Sequence, residues 1–345
     1  MATVRVVEVV RETADAHTLV LEPVDPPAGG RWDYRPGQFL TVRVPSDRPG
    51  GAARCYSLCS SPVRDERLKV TVKRTRDGYA SNWLCDHVVA GHELEVLPPA
   101  GTFVPRSLDV DLLLLAGGSG ITPVMSILTT ALHAGTGRAT LVYANRDESS
   151  VIFRDELVTL AAAHPDRLTV LHWLESVQGL PTEAGLRSVL AAHAADRDAF
   201  VCGPGAFMEV AARALTDLGV PRERVHQEVF TSLEGDPFAE VPVLATGADG
   251  VEGETSELVV ELDGEVTTHA WPAGAKLLDV LLAAGVPAPY SCREGACSAC
   301  ACVLQEGTVE LEYNEVLDQA DLDDGIVLSC QARATSPVVK VSYDA

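Results

Sequence analysis

Four cysteines near the C-terminus, Cys292, Cys297, Cys300 and Cys330, follow the spacing C-x4-C-x2-C and then a distant fourth cysteine. That spacing is a ligand pattern for a [2Fe–2S] cluster held by four thiolates. Three thiolates must converge from one loop, and the cluster sulfides need backbone N–H donors nearby. The loop carries the small residues Gly295, Ala296, Ser298 and Ala299 at non-ligand positions. They let the backbone approach closely, and Gly295 can take a positive φ. Thiolates suit soft iron–sulfur centres. A structural zinc site would pair C-x2-C with a second close pair of ligands, and Cys330 has no such companion. A cluster moves one electron at a time, so the pattern points to redox chemistry. Cys302, two residues past Cys300, is expected on the opposite side of a strand as a buried thiol.

Two upstream segments could bind an electron source. In Arg54-Cys55-Tyr56-Ser57, Tyr56 could stack on a flavin ring, Ser57 could donate to its N5, and Arg54 could pair with a phosphate as a fork. Alone this is an ordinary strand with a surface Arg. It gains weight from Lys73-Arg74 and the turn Gly78-Tyr79-Ala80-Ser81-Asn82, which opens a predicted helix whose N–H groups would receive phosphate. The second segment, Gly117-Gly118-Ser119-Gly120-Ile121-Thr122-Pro123, follows an apolar strand and opens a helix. Its glycines allow a tight turn and close approach to a pyrophosphate, and Pro123 sits in a helix first turn where its missing N–H is harmless. Val201-Cys202-Gly203-Pro204-Gly205 repeats that logic at another strand end. Two such turns at the carboxyl ends of parallel strands form a ligand crevice. Cys202 is either near the nicotinamide or a small buried strand-end residue, and Met208 reads as helix core. Asp147 and Glu148 after the second strand would repel a 2′-phosphate and favour NADH over NADPH, although Arg146 argues the other way.

Three kinds of segment must position these residues. Residues 1–105 read as short alternating strands separated by turns, a small antiparallel β barrel. Residues 106–232 alternate apolar strands (111–116, 139–144, 168–173, 198–202) with helical stretches (123–133, 153–163, 182–193, 206–218), an α/β doubly wound parallel sheet. Residues 233–256 are acidic and rich in Gly and Pro and read as a linker. Residues 257–345 form an α+β segment: a hairpin turning at Asp263-Gly264, a helix over 276–284, the cysteine loop, and strands at 301–305 and 338–342.

Net charge is −22 over 345 residues, and the last third carries most of it: 257–345 holds fifteen acids against four bases, and 233–256 holds six acids and no base. Nucleic acid is an unfavourable partner for such a chain. The acidity either steers a basic protein surface to this segment or serves solubility alone. The N-terminus does not resemble a signal peptide, and no apolar run approaches membrane-spanning length. An odd count of nine cysteines, four of them needed as thiolates, points to a reducing cytoplasm.

The motifs together resemble the ferredoxin–NADP reductase superfamily. Their order, flavin domain, nucleotide domain, C-terminal plant-type ferredoxin, is similar to reductase components of multicomponent oxygenases. Tyr143-Ala144-Asn145-Arg146-Asp147, Ser150–Leu157, Lys276–Leu282 and Ser291–Cys302 resemble the phenylacetyl-CoA epoxidase reductase-like group, and within it the reductases of 3-ketosteroid 9α-hydroxylases. The resemblance implies a β-grasp ferredoxin fold and electron flow from NADH through FAD and [2Fe–2S] to a terminal oxygenase. Phthalate-dioxygenase-type reductases share the domain order and use FMN; the Gly78–Asn82 turn favours FAD here. The resemblance places Arg54, Tyr56 and Ser57 in contact with the flavin, Gly78, Ser81 and Asn82 on its phosphates, and Gly117, Gly118, Gly120, Thr122, Cys202, Gly203 and Pro204 around the dinucleotide. Glu228 and Phe230 match an element near the isoalloxazine, although a terminal strand with Phe230 in the core is the preferred reading. Ser298 stands where bacterial relatives often carry Gly. Competing readings are a phenylacetyl-CoA epoxidase-like or other ring-hydroxylating system, and a ferredoxin-like carrier without its own NADH activity.

Overall fold

Period-two alternation of β-branched and aliphatic residues shapes the N-terminal sheet. Strands β1 (Ala2–Arg11), β2 (Ala16–Pro23), β3 (Phe39–Val44), β4 (Ala52–Ser57), β5 (Leu68–Lys73) and β6 (Glu93–Val96) lie in the order β4-β3-β6-β1-β2-β5. Just past β4, Leu58 bridges Val70 of β5, so the two edges meet and the sheet closes on itself. Val4 and Val6, Leu19 and Leu21, and Val70 and Val72 point into the barrel, and α1 (Tyr79–His87) caps this core with Ala80, Leu84 and Cys85. The motif Arg54–Ser57 lies at the end of β4. The computed structural model describes residues 1–25, 32–47, 51–239 and 255–344. Most of the expected linker, 240–254, lies outside the described residues.

Five strands follow: β7 (Leu112–Gly117), β8 (Ala139–Asn145), β9 (Leu168–Leu174), β10 (Asp198–Cys202) and β11 (Val225–Glu228). All are parallel, in the order β11-β10-β7-β8-β9. Helices α2 (Ile121–Ala134), α3 (Arg154–Ala163), α4 (Glu175–Gln178), α5 (Glu183–Leu190) and α6 (Gly205–Asp217) connect them. β7 is buried at every residue, which explains its unbroken apolar run. Leu113 and Leu115 pack with Leu186, Phe207 and Ala211 on one face, and Leu112 and Leu114 with Ile121, Leu128 and Leu157 on the other. α2 buries every residue from Ile121 to Leu132, because barrel residues Cys59 and Phe103 join the same cluster. The Arg167 guanidinium donates to the carbonyls of Ala131, Leu132, Gly135 and Gly137 and so caps the end of α2. The strand order reverses between β7 and β10, a topological switch point.

The C-terminal domain holds β12 (Ser256–Leu262), β13 (Glu265–Trp271), α7 (Leu277–Ala283), β14 (Ala301–Glu306), β15 (Val309–Leu311), α8 (Gln319–Asp323), β16 (Ile326–Leu328), β17 (Ala332–Ala334) and β18 (Val338–Ser342). Its main sheet runs β13-β12-β18-β14-β16, with a parallel β12–β18 pair between antiparallel neighbours. α7 and Trp271 fill one side, the mixed grasp expected from the resemblance. By contact, residues 1–44 with 54–230 form one compact unit, and residues 45–53 with 231–345 form a second.

Candidate functional site

The cysteine loop connects α7 to β14. Arg293, Gly295 and Ser298 all have positive φ, at 62°, 78° and 55°. Alternating left-handed residues turn successive N–H groups to one side and make a concavity for negative charge. Here the N–H groups of Glu294 and Ala296 point at Cys292 Sγ (3.5 and 3.4 Å), and that of Cys292 points at Cys297 Sγ (3.4 Å). Gln331 Nε2 reaches Cys330 Sγ at 3.5 Å and also donates to the Arg293 carbonyl. Cys292, Cys300 and Cys330 are buried, and Cys297 is half-buried. Hydrogen bonds from the neighbouring Cys297 and Cys330 thiols pull the Cys292 thiol well below its ordinary range. No group of three or more His, Cys, Asp or Glu side chains among the described residues is arranged around a single metal ion. Instead the cysteines form a chain of neighbours, 297 to 292 to 330 to 300. Four gathered sulfurs with N–H donors aimed at them fit a two-iron cluster. Cys302 is buried behind the loop, and burial pushes its thiol up.

Behind these ligands the loop is tied down. Arg293 pairs with Asp279 at 2.8 Å with both side chains largely buried, and its guanidinium also donates to the Ala239 carbonyl. The Glu294 carboxylate accepts the N–H groups of Glu234 and Gly235, and Thr231 Oγ1 donates to the Ala296 carbonyl. The first residues of the acidic stretch are thus bonded to the cysteine loop.

On the barrel, Ser57 is buried and Tyr56 is half-buried against the barrel core, which raises its phenol. The start of α1 has no side-chain cap. Ser81 Oγ accepts the Thr75 N–H at 3.1 Å, and Asn82 Nδ2 donates to the Thr75 and Gly78 carbonyls. These two side chains, expected on flavin phosphate, hold the turn itself. The turn still offers a phosphate the uncapped start of a helix.

At the switch point the β7 and β10 turns are packed onto each other. A Cβ on Gly120 would lie 2.1 Å from the Cys202 carbonyl oxygen. Contact between the two turns therefore requires a glycine at 120. Thr122 Oγ1 donates to the Ser119 carbonyl, and neither α2 nor α6, which begins after Pro204, has a side-chain cap. Gly203 faces Gly117 across the seam. Cys202 is fully buried with its thiol pushed up, so its carbonyl, rather than its sulfur, meets the first turn. Lys73 Nζ stands 3.6 Å from where a Gly118 Cβ would be, which puts this cation at the dinucleotide turn. Partial burial lowers its pKa. Asp15 pairs with Arg146 at 2.8 Å. The Asp147 carboxylate accepts from Ser150 N and Ser149 Oγ, so it caps a turn.

Glu228 faces Cys202 in the β10–β11 register, and desolvation pushes its carboxyl up to about 8. Phe230 lies beyond the end of β11 and is 44% exposed. The preference for Phe230 as core is therefore overturned: the strand ends two residues earlier, and the side chain is not buried. Sequence reasoning missed Tyr143. Its buried hydroxyl donates to the Gly118 carbonyl at 3.1 Å and accepts from Ile152 N. A tyrosine inside a fully buried parallel strand was the available signal. Met208 is helix core, as expected.

A closed barrel, a parallel sheet with its crevice at the switch point and a thiol-lined grasp domain define a flavin- and nicotinamide-dependent iron–sulfur reductase. Family models agree domain by domain: an oxidoreductase FAD-binding domain matches residues 4–104, an oxidoreductase NAD-binding domain 114–213, and a 2Fe-2S iron-sulfur cluster binding domain 260–335. The chain is 57% identical to the ferredoxin reductase component of 3-ketosteroid-9-alpha-monooxygenase from Mycobacterium tuberculosis, over 99% of this chain and 95% of that one. It is 34% identical to a component of the 1,2-phenylacetyl-CoA epoxidase from Escherichia coli, over 99% and 97%. Among solved structures, phthalate dioxygenase reductase matches with a TM-score of 0.56 and 26% identity, over 99% of this chain and 97% of that one. This chain belongs to the family of oxygenase reductase components that carry FAD-binding, NAD-binding and [2Fe–2S] domains.

Proposed function

We propose that this reductase serves a 3-ketosteroid 9α-hydroxylase, taking electrons from NADH. The observation that carries this is 57% identity over nearly the whole of both chains to the named mycobacterial component. A bound FAD would supply the conversion of a two-electron hydride donor into single electrons for the cluster. The chain's own residues place and shield those groups. Arg54, Tyr56 and Ser57 hold the flavin ring, and the Ser57 hydroxyl supplies a donor from a buried position. Gly78, Ser81 and Asn82 shape the turn that receives its phosphates. Gly117, Gly118, Gly120, Thr122, Cys202, Gly203 and Pro204 form the dinucleotide crevice, with Lys73 as the cation nearest its phosphates. Glu228 and Phe230 close the flavin side, and Cys292, Cys297, Cys300 and Cys330 ligate the cluster.

The terminal oxygenase docks on the acidic C-terminal domain through a basic surface, and the pair works in the cytoplasm. The charge of that domain supports the first point and the free cysteines support the second. No helix among the described residues is long and apolar enough to cross a membrane.

The deciding experiment is turnover with candidate terminal oxygenases, following NADH oxidation together with product. Coupled hydroxylation of a 3-ketosteroid, with a rate that falls as salt rises, is expected. Coupling to an aryl-CoA epoxidase and none to the steroid enzyme would replace this reading.

A further inference from the structure

The seam between the barrel and the nucleotide layer is bonded, as well as packed. α2 is buried along its length, yet it carries hydroxyls on the face toward the barrel. Ser126, fully buried, donates to the Ser60 carbonyl at 2.6 Å. One turn on, Thr130, 1% exposed, bonds the Ser61 hydroxyl at 2.9 Å and the Ser126 carbonyl at 2.7 Å. The acceptors are anchored on their own side. Ser60 Oγ lies 2.7 Å from Tyr34 OH and accepts the Lys69 N–H, and the Ser61 N–H donates to Asp65.

Alanine and valine at 126 and 130 would fill the same space, and apolar packing alone has no preferred direction. Hydrogen bonds do: they fix the slide and rotation of α2 against the barrel. The bonded elements lead in both directions to cofactor segments. Ser60 and Ser61 follow Ser57 by three and four residues. Ser126 stands about one helical turn past Thr122, at the end of the dinucleotide turn.

We propose that Ser126 and Thr130 are positioning residues for hydride transfer. They lock α2 to the Ser60-Ser61 segment and so set the spacing between the dinucleotide turn and the flavin segment. Neither residue touches a cofactor. The inference rests on the reductase reading above.

The test is anaerobic stopped-flow reduction of the FAD- and cluster-loaded protein by NADH, comparing wild type with the Ser126→Ala/Thr130→Val double variant. Flavin content and the reduced-cluster EPR signal are expected to match wild type. NADH affinity should change little, while the flavin-reduction rate constant falls by about 10-fold or more, as expected for a misaligned donor and acceptor. The long-wavelength charge-transfer absorbance of nicotinamide on flavin should weaken in parallel. Ser126→Thr and Thr130→Ser, which keep the hydroxyls, should restore both signals. A double variant with a lower Tm, a wild-type rate and an unchanged charge-transfer band would overturn the proposal. If the double variant does not fold, Thr130→Val and Thr130→Ser are compared singly, and equal rates overturn it. Wild-type protein whose flavin is not reduced by NADH would overturn the reductase reading, and this proposal with it.

Discussion

The cysteine loop and the dinucleotide crevice are both built to receive a cofactor, and they are specified in opposite ways. Three of the four cysteines proposed as cluster ligands lie within nine residues, and the loop shape is written in local backbone: positive φ at Arg293, Gly295 and Ser298 turns N–H groups onto the sulfurs. The crevice has no such local code. Its parts come from Lys73, the turn after β7, Tyr143, the turn after β10 and Glu228, and each is placed by the packing of a different element. A locally coded site should fail at its ligands and tolerate relief of strain. A packed site should fail wherever two elements touch.

The largest expected effect separates the two regions outright. Cys292→Ser should reduce NADH-driven reduction of cytochrome c to background while NADH–ferricyanide activity survives, since the crevice is untouched; equal loss of both would show that the sites depend on each other. Gly120→Ala attacks the crevice alone. Its Cβ would sit 2.1 Å from the Cys202 carbonyl, and the overpacking should cost about 1–3 kcal/mol with weaker NADH binding. Thermal melts and NADH titration check this, and a reduced-cluster EPR signal lost with it would contradict the comparison.

Glu228→Gln tests burial in the crevice through pH. The folded chain holds this carboxyl proton up to about 8, while the unfolded chain releases it near 4.5. The folded state thus binds the extra proton between those values, and its stability falls as pH rises through that window. Melts at about pH 5 and about pH 9 should show a smaller decline in the Glu228→Gln protein than in wild type. An equal decline would mean that the carboxyl is not desolvated. The smallest effect is expected at Ser298→Gly. Relief of a left-handed conformation, offset by the greater freedom of glycine in the unfolded chain, should stabilise the cluster domain by about 0.5 kcal/mol. Destabilisation by that change would show that the serine side chain itself supports the loop.

What the sequence leaves unsaid follows the same division. Ser81 and Asn82, expected at flavin phosphates, also bond Thr75 and Gly78 and so shape their own turn. Asp147, expected as a repulsive carboxylate, also caps a turn. Phe230 reads as core because a strand pattern does not reveal where pairing stops; β11 ends at Glu228. Tyr143 gives little sign of its role, which needs the Gly118 carbonyl, twenty-five residues away in sequence, beside its hydroxyl.

Residue types and short spacings determined what is local: the thiolate set, the glycine turns, the alternation that makes a barrel and the buried runs that make a parallel sheet. These are properties of neighbouring residues, and they are present in the chain before it folds. Which glycine makes room for another turn, which cation stands at the turn after β7, and which hydroxyls hold α2 to the barrel were decided by tertiary packing. Each depends on atoms from distant segments coming within a few ångströms, and a one-dimensional pattern contains no such distance.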